Sequence, residues 1–264
     1  ADHVPPARRT ATLASLGAAN AVGLVAGPAL AGGLASIGLA TPLYATVWLP
    51  IAAVAVLWRS LPRTAVRPAA GGAPLLLRDR RLRRPMLVSF TAYFCVSTAQ
   101  IIVGFFAIDR LGLAGGDAAR VAGMSLTMVG VSLIGSQMVV RRLGWPPARL
   151  VRFGSVIGAI GFAMVAASTS SAMLIGAYFL TAFGMGWIFP AFGAMAANAV
   201  QAHEQGAAAG AIGAAQGFGT VVGPLVGTLC YELEPSAPYW LIVAMLVPMI
   251  VWPMPAGRCP RDRT

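Results

Sequence analysis

Two side-chain amides, Asn20 and Gln216, stand 196 positions apart inside apolar stretches, and each is the fourth residue of the same short pattern. An amide in apolar surroundings needs a hydrogen-bond partner, because leaving it unpaired costs about 2 kcal/mol or more. Each must therefore bond across to another chain segment or face water. Neither can trade protons. The groups that could do so lie elsewhere: His3 and His203 fall between the apolar stretches, and Asp109 and Glu232 fall at their ends. No His pair stands at metal-binding helical spacing inside a stretch. A serine there has no base beside it, and no carboxylate is placed as a general acid or base. The sequence therefore predicts no catalytic residue, no metal site and no cofactor, and it argues against an enzyme.

A second polar set is Ser89, Tyr93, Ser97 and Gln100. Their spacing of i, i+4, i+8 and i+11 puts them on one face of a helix. A polar stripe inside a membrane faces a partner helix or a cavity, not lipid, and both readings are open. Further along, Tyr178 and Thr181 share a face, and Trp187, Phe189 and Pro190 mark a bulky, kinked stretch. For Trp187 the alternatives are core packing and a cavity wall.

Helices long enough to cross a bilayer must carry these residues. The chain of 264 residues is 58% hydrophobic and 10% charged, with mean hydropathy +0.76. A soluble domain carries roughly 25% charged residues. Eight apolar spans are predicted, at about 10–35, 41–59, 85–108, 118–141, 149–168, 172–199, 206–231 and 238–254. Runs of about 18 or more apolar residues read as membrane helices, so the fold class is an all-α integral membrane protein. The net charge is +11, and all 19 basic residues are arginine. All but Arg110 and Arg120 lie at alternate ends of the spans. The positive-inside rule accounts for them without nucleic acid as a partner. It places both ends of the chain, and the arginine-rich segment 63–84, on the cytoplasmic side. Tyr44, Tyr231, Tyr239 and Trp240 then fall at outer ends as an interfacial belt. Cys95, Cys230 and Cys259 form no CxxC pair and no even framework, and two of them read as inert small hydrophobes.

The amide pattern reads Gly17-Ala-Ala-Asn20-Ala-Val-Gly23-Leu-Val-Ala-Gly27-Pro28 in the first copy. It reads Gly213-Ala-Ala-Gln216-Gly-Phe-Gly219-Thr-Val-Val-Gly223-Pro224 in the second. Glycines four apart leave a bare stripe on which another helix can approach closely. Pro28 and Pro224 each remove a helical N–H and free the carbonyl four residues earlier, which bends the helix. The two copies stand in the first and seventh spans, so the repeat unit is six helices. Residues 85–264 then form one six-helix bundle, residues 1–62 the last two helices of an earlier bundle, and 63–84 the linker. Four helices are expected before residue 1.

Gly23 to Pro28, followed by Ala29-Leu-Ala-Gly32-Gly33, resembles the antiporter motif of the fifth helix in the major facilitator superfamily. The likeness is nearest to its twelve-span drug:proton antiporters, which include tetracycline exporters. Gly184 to Pro190 and His203 to Gly210 resemble the tenth and eleventh helices of that group. The resemblance implies a two-bundle fold seen from the fifth helix onward, with Gly23, Gly27, Pro28, Gly32, Gly219, Gly223 and Pro224 as its conformational motif. It implies a central cavity, for which Tyr93, Ser97, Gln100, Tyr178, Trp187, Asn20 and Gln216 are the candidate lining. It further implies proton-coupled efflux of small lipophilic compounds by alternating access. The expected partners are the lipid bilayer, a small-molecule substrate and protons, and the expected place is the bacterial cytoplasmic membrane. A metabolite or sugar carrier, or a remnant that does not transport, is the alternative. The titratable coupling group is expected in the helices before residue 1.

Overall fold

The computed structural model describes residues 41–60, 79–201 and 204–251. The first predicted span, with Asn20, Gly23, Gly27, Pro28 and Gly32, lies outside the described residues, as do His3, His203, Cys259 and most of the segment 63–84. Among the described residues there are seven helices and no strand. They are α1 (Thr41–Ser60), α2 (Arg83–Asp109), α3 (Gly115–Leu143), α4 (Pro147–Ala166), α5 (Ser171–Ala199), α6 (Gln205–Leu233) and α7 (Ala237–Val251). Helices α2 to α6 are each long and apolar enough to cross a membrane, while α1 and α7 hold shorter apolar stretches. The chain divides into two compact units, Ala1–Gly72 and Ala73–Thr264. In the first, α1 is a single helix with Pro50 inside it.

In the second unit the turns follow from local chemistry. Helix α3 ends at Gly144, whose φ of 55° is the left-handed conformation that glycine adopts without a Cβ penalty. Its N–H closes on the Val140 carbonyl at 3.3 Å. After Trp145 come Pro146 and Pro147, and Pro147 opens α4 at a position where its missing N–H costs nothing. Ser170 caps α5, its hydroxyl accepting from the Met173 N–H at 3.3 Å.

The helices pack through small residues. The broadest contacts are α4 on α5 and α2 on α6, followed by α3 on α5 and α7 on α4. On α4, a Cβ added at Gly154 would stand 2.7 Å from the Gly184 carbonyl oxygen of α5, and one at Gly161 would stand 2.6 Å from the Thr181 nitrogen. No side chain larger than hydrogen fits between those backbones. Phe106, Phe162, Leu174, Ile188, Ile242 and Leu246 fill the centre and are fully buried. The outward face of α6 is also apolar: Phe218, Val221, Leu225 and Leu229 are all exposed. In water such a patch is an aggregation liability. Against hydrocarbon it is the surface that a membrane helix requires.

Candidate functional site

Tyr93, near the middle of α2, is half-buried, and its ring meets two rings of α5. The centroids of Tyr93 and Phe189 are 5.8 Å apart, and those of Tyr93 and Phe192 are 6.4 Å apart. Phe189 and Phe192 stand edge to face at 6.4 Å. These are the separations and tilts that aromatic quadrupoles favour. Pro190, between the two phenylalanines in sequence, is exposed. On the other flank, Phe90 of α2 lies 5.6 Å from Phe218 of α6 and 6.0 Å from Phe94. A row of rings thus runs along α2 with neighbours from α5 and α6. The Tyr93 hydroxyl has no hydrogen-bond partner among the described residues and is left to a ligand, water or another segment.

Pro190 places a defect in α5. It has no N–H, so the carbonyl of Gly186, four residues earlier, loses its helical donor. Gln137 of α3 replaces that donor: its Nε2 donates to the Gly186 carbonyl at 2.9 Å. Ser132 of α3 likewise donates to the Phe179 carbonyl at 2.6 Å. Neither residue was among the sequence candidates. The available signal was an amide in an apolar helix and a proline in another, but nothing in the sequence paired them.

The predicted polar stripe on α2 divides. Ser97 is buried, and its single hydroxyl proton is shared between the Phe94 carbonyl at 3.3 Å and the Gly219 carbonyl of α6 at 3.4 Å. Ser89 bonds the Met86 carbonyl of its own helix. Gln100 is exposed and makes no hydrogen bond to a described residue. Ser97 therefore joins two helices, whereas Tyr93 and Gln100 reach the surface of the unit.

Tyr178 is 2% exposed and holds three helices together. Its hydroxyl donates to the Ala99 carbonyl of α2 at 2.8 Å and lies 2.9 Å from the hydroxyl of Tyr239 on α7. Because Tyr178 has one proton and gives it to Ala99, Tyr239 is the donor of the second bond. Tyr239 is fully buried, so it is not one of the interfacial belt. Trp187 is 6% exposed and packs edge to face on Trp145 at 5.7 Å, with Phe183 at 5.8 Å. Two residues along a helix turn the direction by about 200°, so Trp187 and Phe189 leave α5 on nearly opposite sides. The structure brings Tyr93 to Phe189 and Phe192, and does not bring Tyr178 or Trp187 to that group.

The second Gly-Pro copy packs along α2. A Cβ at Gly219 would stand 2.5 Å from the Phe90 carbonyl oxygen, and one at Gly223 would stand 2.5 Å from Ser97 Oγ and 2.7 Å from the Phe94 carbonyl oxygen. One at Gly227 would meet the Thr98 methyl at 2.5 Å. The stripe is therefore a close helix–helix seam. Pro224 lies within α6, one residue past Gly223. Gln216, a turn before Gly219, is half-exposed, and its amide finds no partner among the described residues. Among the described residues no group of three His, Cys, Asp or Glu could hold a metal ion.

Arginine-bearing ends, apolar outer faces and membrane-length helices define a multi-pass membrane protein. The chain belongs to the Major Facilitator Superfamily, whose family model matches residues 1–172 and 145–258. It is 28% identical over 261 residues to the class G tetracycline resistance protein of Vibrio anguillarum, a match covering 93% of this chain and 65% of that protein. It is 34% identical over 110 residues to a triacylglyceride transporter of Mycobacteroides abscessus, covering 40% of this chain and 21% of that one. The chain thus spans less than two thirds of the length of either relative. Among solved structures it is similar in fold to a bacterial homologue of the iron transporter ferroportin. That match has a TM-score of 0.59 and 16% identity, and covers 94% of this chain and 65% of the other.

Proposed function

We propose that this chain forms part of a secondary active transporter that exports small lipophilic compounds from a bacterial cell by alternating access, with protons as the coupling ion. The observation that carries this reading is the nest of Tyr93, Phe189 and Phe192. It is an uncharged aromatic wall with one hydroxyl that no described residue claims, beside the exposed Pro190. Such a surface suits flat, apolar or cationic molecules, which stack on ring faces. The names of the two relatives, a tetracycline resistance protein and a triacylglyceride transporter, support a lipophilic cargo. A sugar or metabolite carrier would need more hydrogen-bonding groups than this wall offers. Proton coupling rests on the resemblance of the Gly23–Pro28 segment to the antiporter motif. No carboxylate or histidine stands inside a predicted span, so an enzyme reading has no general acid or base there to draw on.

The test is energy-dependent efflux of a fluorescent planar dye from cells that express the protein. Tyr93→Ala and Phe189→Ala should each slow efflux several-fold at equal membrane level, while Phe153→Ala, on α4, should not. A collapsed proton gradient should stop it. Efflux indifferent to both ring deletions rules out the aromatic wall as the substrate path.

A further inference from the structure

The close glycine contacts of the second unit fall into two sets. In the first, Gly219 and Gly223 of α6 lie against the backbone of α2, where an added Cβ would stand 2.5 Å from the Phe90 carbonyl oxygen and 2.7 Å from that of Phe94. The same two helices are fastened at both ends. Arg81 pairs with Glu204 at 2.9 Å where they begin, and the Tyr231 hydroxyl donates to Asp109 at 2.6 Å where they finish. In the second set, Gly154 and Gly161 of α4 lie against the backbone of α5. Helix α3 joins that pair through Ser132 and Gln137, which donate to carbonyls of α5, and a Cβ at Gly186 would overlap the Ser136 hydroxyl. Helix α7 joins it through Met249, whose sulfur accepts from Ser155 of α4 at 3.7 Å, and through Leu246, which would lie 3.6 Å from a Cβ at Gly158.

Among the described residues, no glycine brings the backbone of α2 or α6 against that of α3, α4, α5 or α7. The ring contacts and the hydrogen bond that cross between the sets run through side chains. Tyr93 of α2 meets Phe189 and Phe192 of α5, and Phe106 of α2 stands edge to face on Tyr239 of α7 at 5.1 Å. Tyr178 of α5 donates to the Ala99 carbonyl of α2. Interlocked backbones resist sliding, because a shift drives a carbonyl into the facing helix. Rings stay in favourable contact over a range of tilts and offsets, so a boundary made of them can shear.

We propose that the bundle behaves as two rigid bodies, α2 with α6 and α3 with α4, α5 and α7, which tilt against each other about the Tyr178–Ala99 bond. That bond is buried, 2.8 Å long and backed by the hydroxyl of Tyr239, so it holds one point of the boundary in place. The Tyr93 nest spans the boundary, with one ring on the first body and two on the second. A tilt therefore changes the room between those rings without opening either glycine seam. The division rests on the packing and does not depend on the export reading.

The test uses the full chain in lipid nanodiscs, with pairs of spin labels on introduced cysteines in a background without Cys95, Cys230 and Cys259. Positions Arg110 and Leu233, exposed at the C-terminal ends of α2 and α6, report on the first body. Positions Gly116, at the start of α3, and Ala167, just past the end of α4, are exposed and report on the second. Arg110 with Ala167 reports across the boundary. Electron paramagnetic resonance should give narrow distance distributions for the two pairs within a body and a broader one across. Tyr178→Phe removes the crossing bond and should shift or widen the 110–167 distribution by about 2 Å, the scale of helix shifts at packed interfaces. It should leave the other two unchanged. A 110–167 distribution that is as narrow as the others, or that Tyr178→Phe does not alter, would overturn the proposal, since it marks one rigid bundle. So would an equal widening of the 110–233 distribution, since it marks α2 and α6 as separate.

Discussion

Gln137 Nε2 donates to the carbonyl of Gly186 at 2.9 Å, in the place of the donor that Pro190 cannot supply. A kinked helix in hydrocarbon keeps its backbone satisfied through such neighbours. The backbone gap that Pro190 leaves in α5 is thus filled from α3, one turn from Phe189 of the ring nest.

This pairing predicts non-additive mutations. Gln137→Leu strands a backbone acceptor and should lower the melting temperature of the purified protein. Interhelical hydrogen bonds in membranes are worth about 0.6 kcal/mol on average and up to about 1.7. In a Pro190→Ala background the N–H at position 190 returns to Gly186, so the same change should cost clearly less. Equal costs in both backgrounds would mean that Gln137 does not stand in for the missing donor.

The α2–α6 seam should tolerate no side chain at Gly223. An added Cβ falls 2.5 Å from Ser97 Oγ and 2.7 Å from the Phe94 carbonyl oxygen. Overpacking of this kind costs about 1–3 kcal/mol, so Gly223→Ala should lower thermal stability in detergent, and Gly223→Leu should do so further. Gly217, with nothing within 4 Å of its added Cβ, is the control. There alanine relieves the helix cost of glycine, about 1 kcal/mol, and should leave stability equal or higher. A Gly217→Ala loss as large as that of Gly223→Ala would refute the seam.

Arg81, just before α2, pairs with Asp79 of its own segment and with Glu204 at the start of α6, and the second pair ties the two helix starts together. Its hydrogen bond holds the Asp79 carboxyl below the ordinary carboxylate value. A depressed folded-state value means stability that is present above the unfolded value of about 3.9 and lost as pH falls through the folded one. Asp79→Asn should therefore lower the melting temperature slightly at pH 7. The gap should close as acidification protonates the carboxyl in the folded protein, and it should shrink in high salt, because the pair is exposed. A gap that is unchanged at low pH would assign the effect to something other than this charge.

The alternation of arginine predicts that Arg142 faces the cytoplasm and Gly116, at the other end of α3, faces outward. Both positions are exposed. Single cysteines there, in a background without Cys95, Cys230 and Cys259, can be probed in intact cells with an impermeant maleimide. Position 116 should label and position 142 should label only after the membrane is opened. The reverse pattern inverts the topology.

Much of the architecture was legible in the sequence because a bilayer imposes length. A crossing helix needs about 20 apolar residues. The spans predicted from residue 85 onward agree with α2 to α7 to within a few residues. The close approach along Gly219, Gly223 and Gly227 was legible for a similar reason, since only glycine at four-residue spacing leaves a groove deep enough for another backbone. Which way each side chain points was not. In water, the buried face of a helix is apolar and the other polar, and the period shows the face. In lipid both faces are apolar, so α2 and α5 carry almost no periodic signal. The tertiary structure alone decided that Tyr178 bonds Ala99 and Tyr239 inside the bundle, that Trp187 packs on Trp145, and that Tyr93 meets Phe189 and Phe192. It also decided that Gln137 serves the carbonyl left open by Pro190, because that choice depends on how α3 and α5 are rotated against each other. Hydropathy, which measures only how apolar a stretch is, holds no record of that rotation.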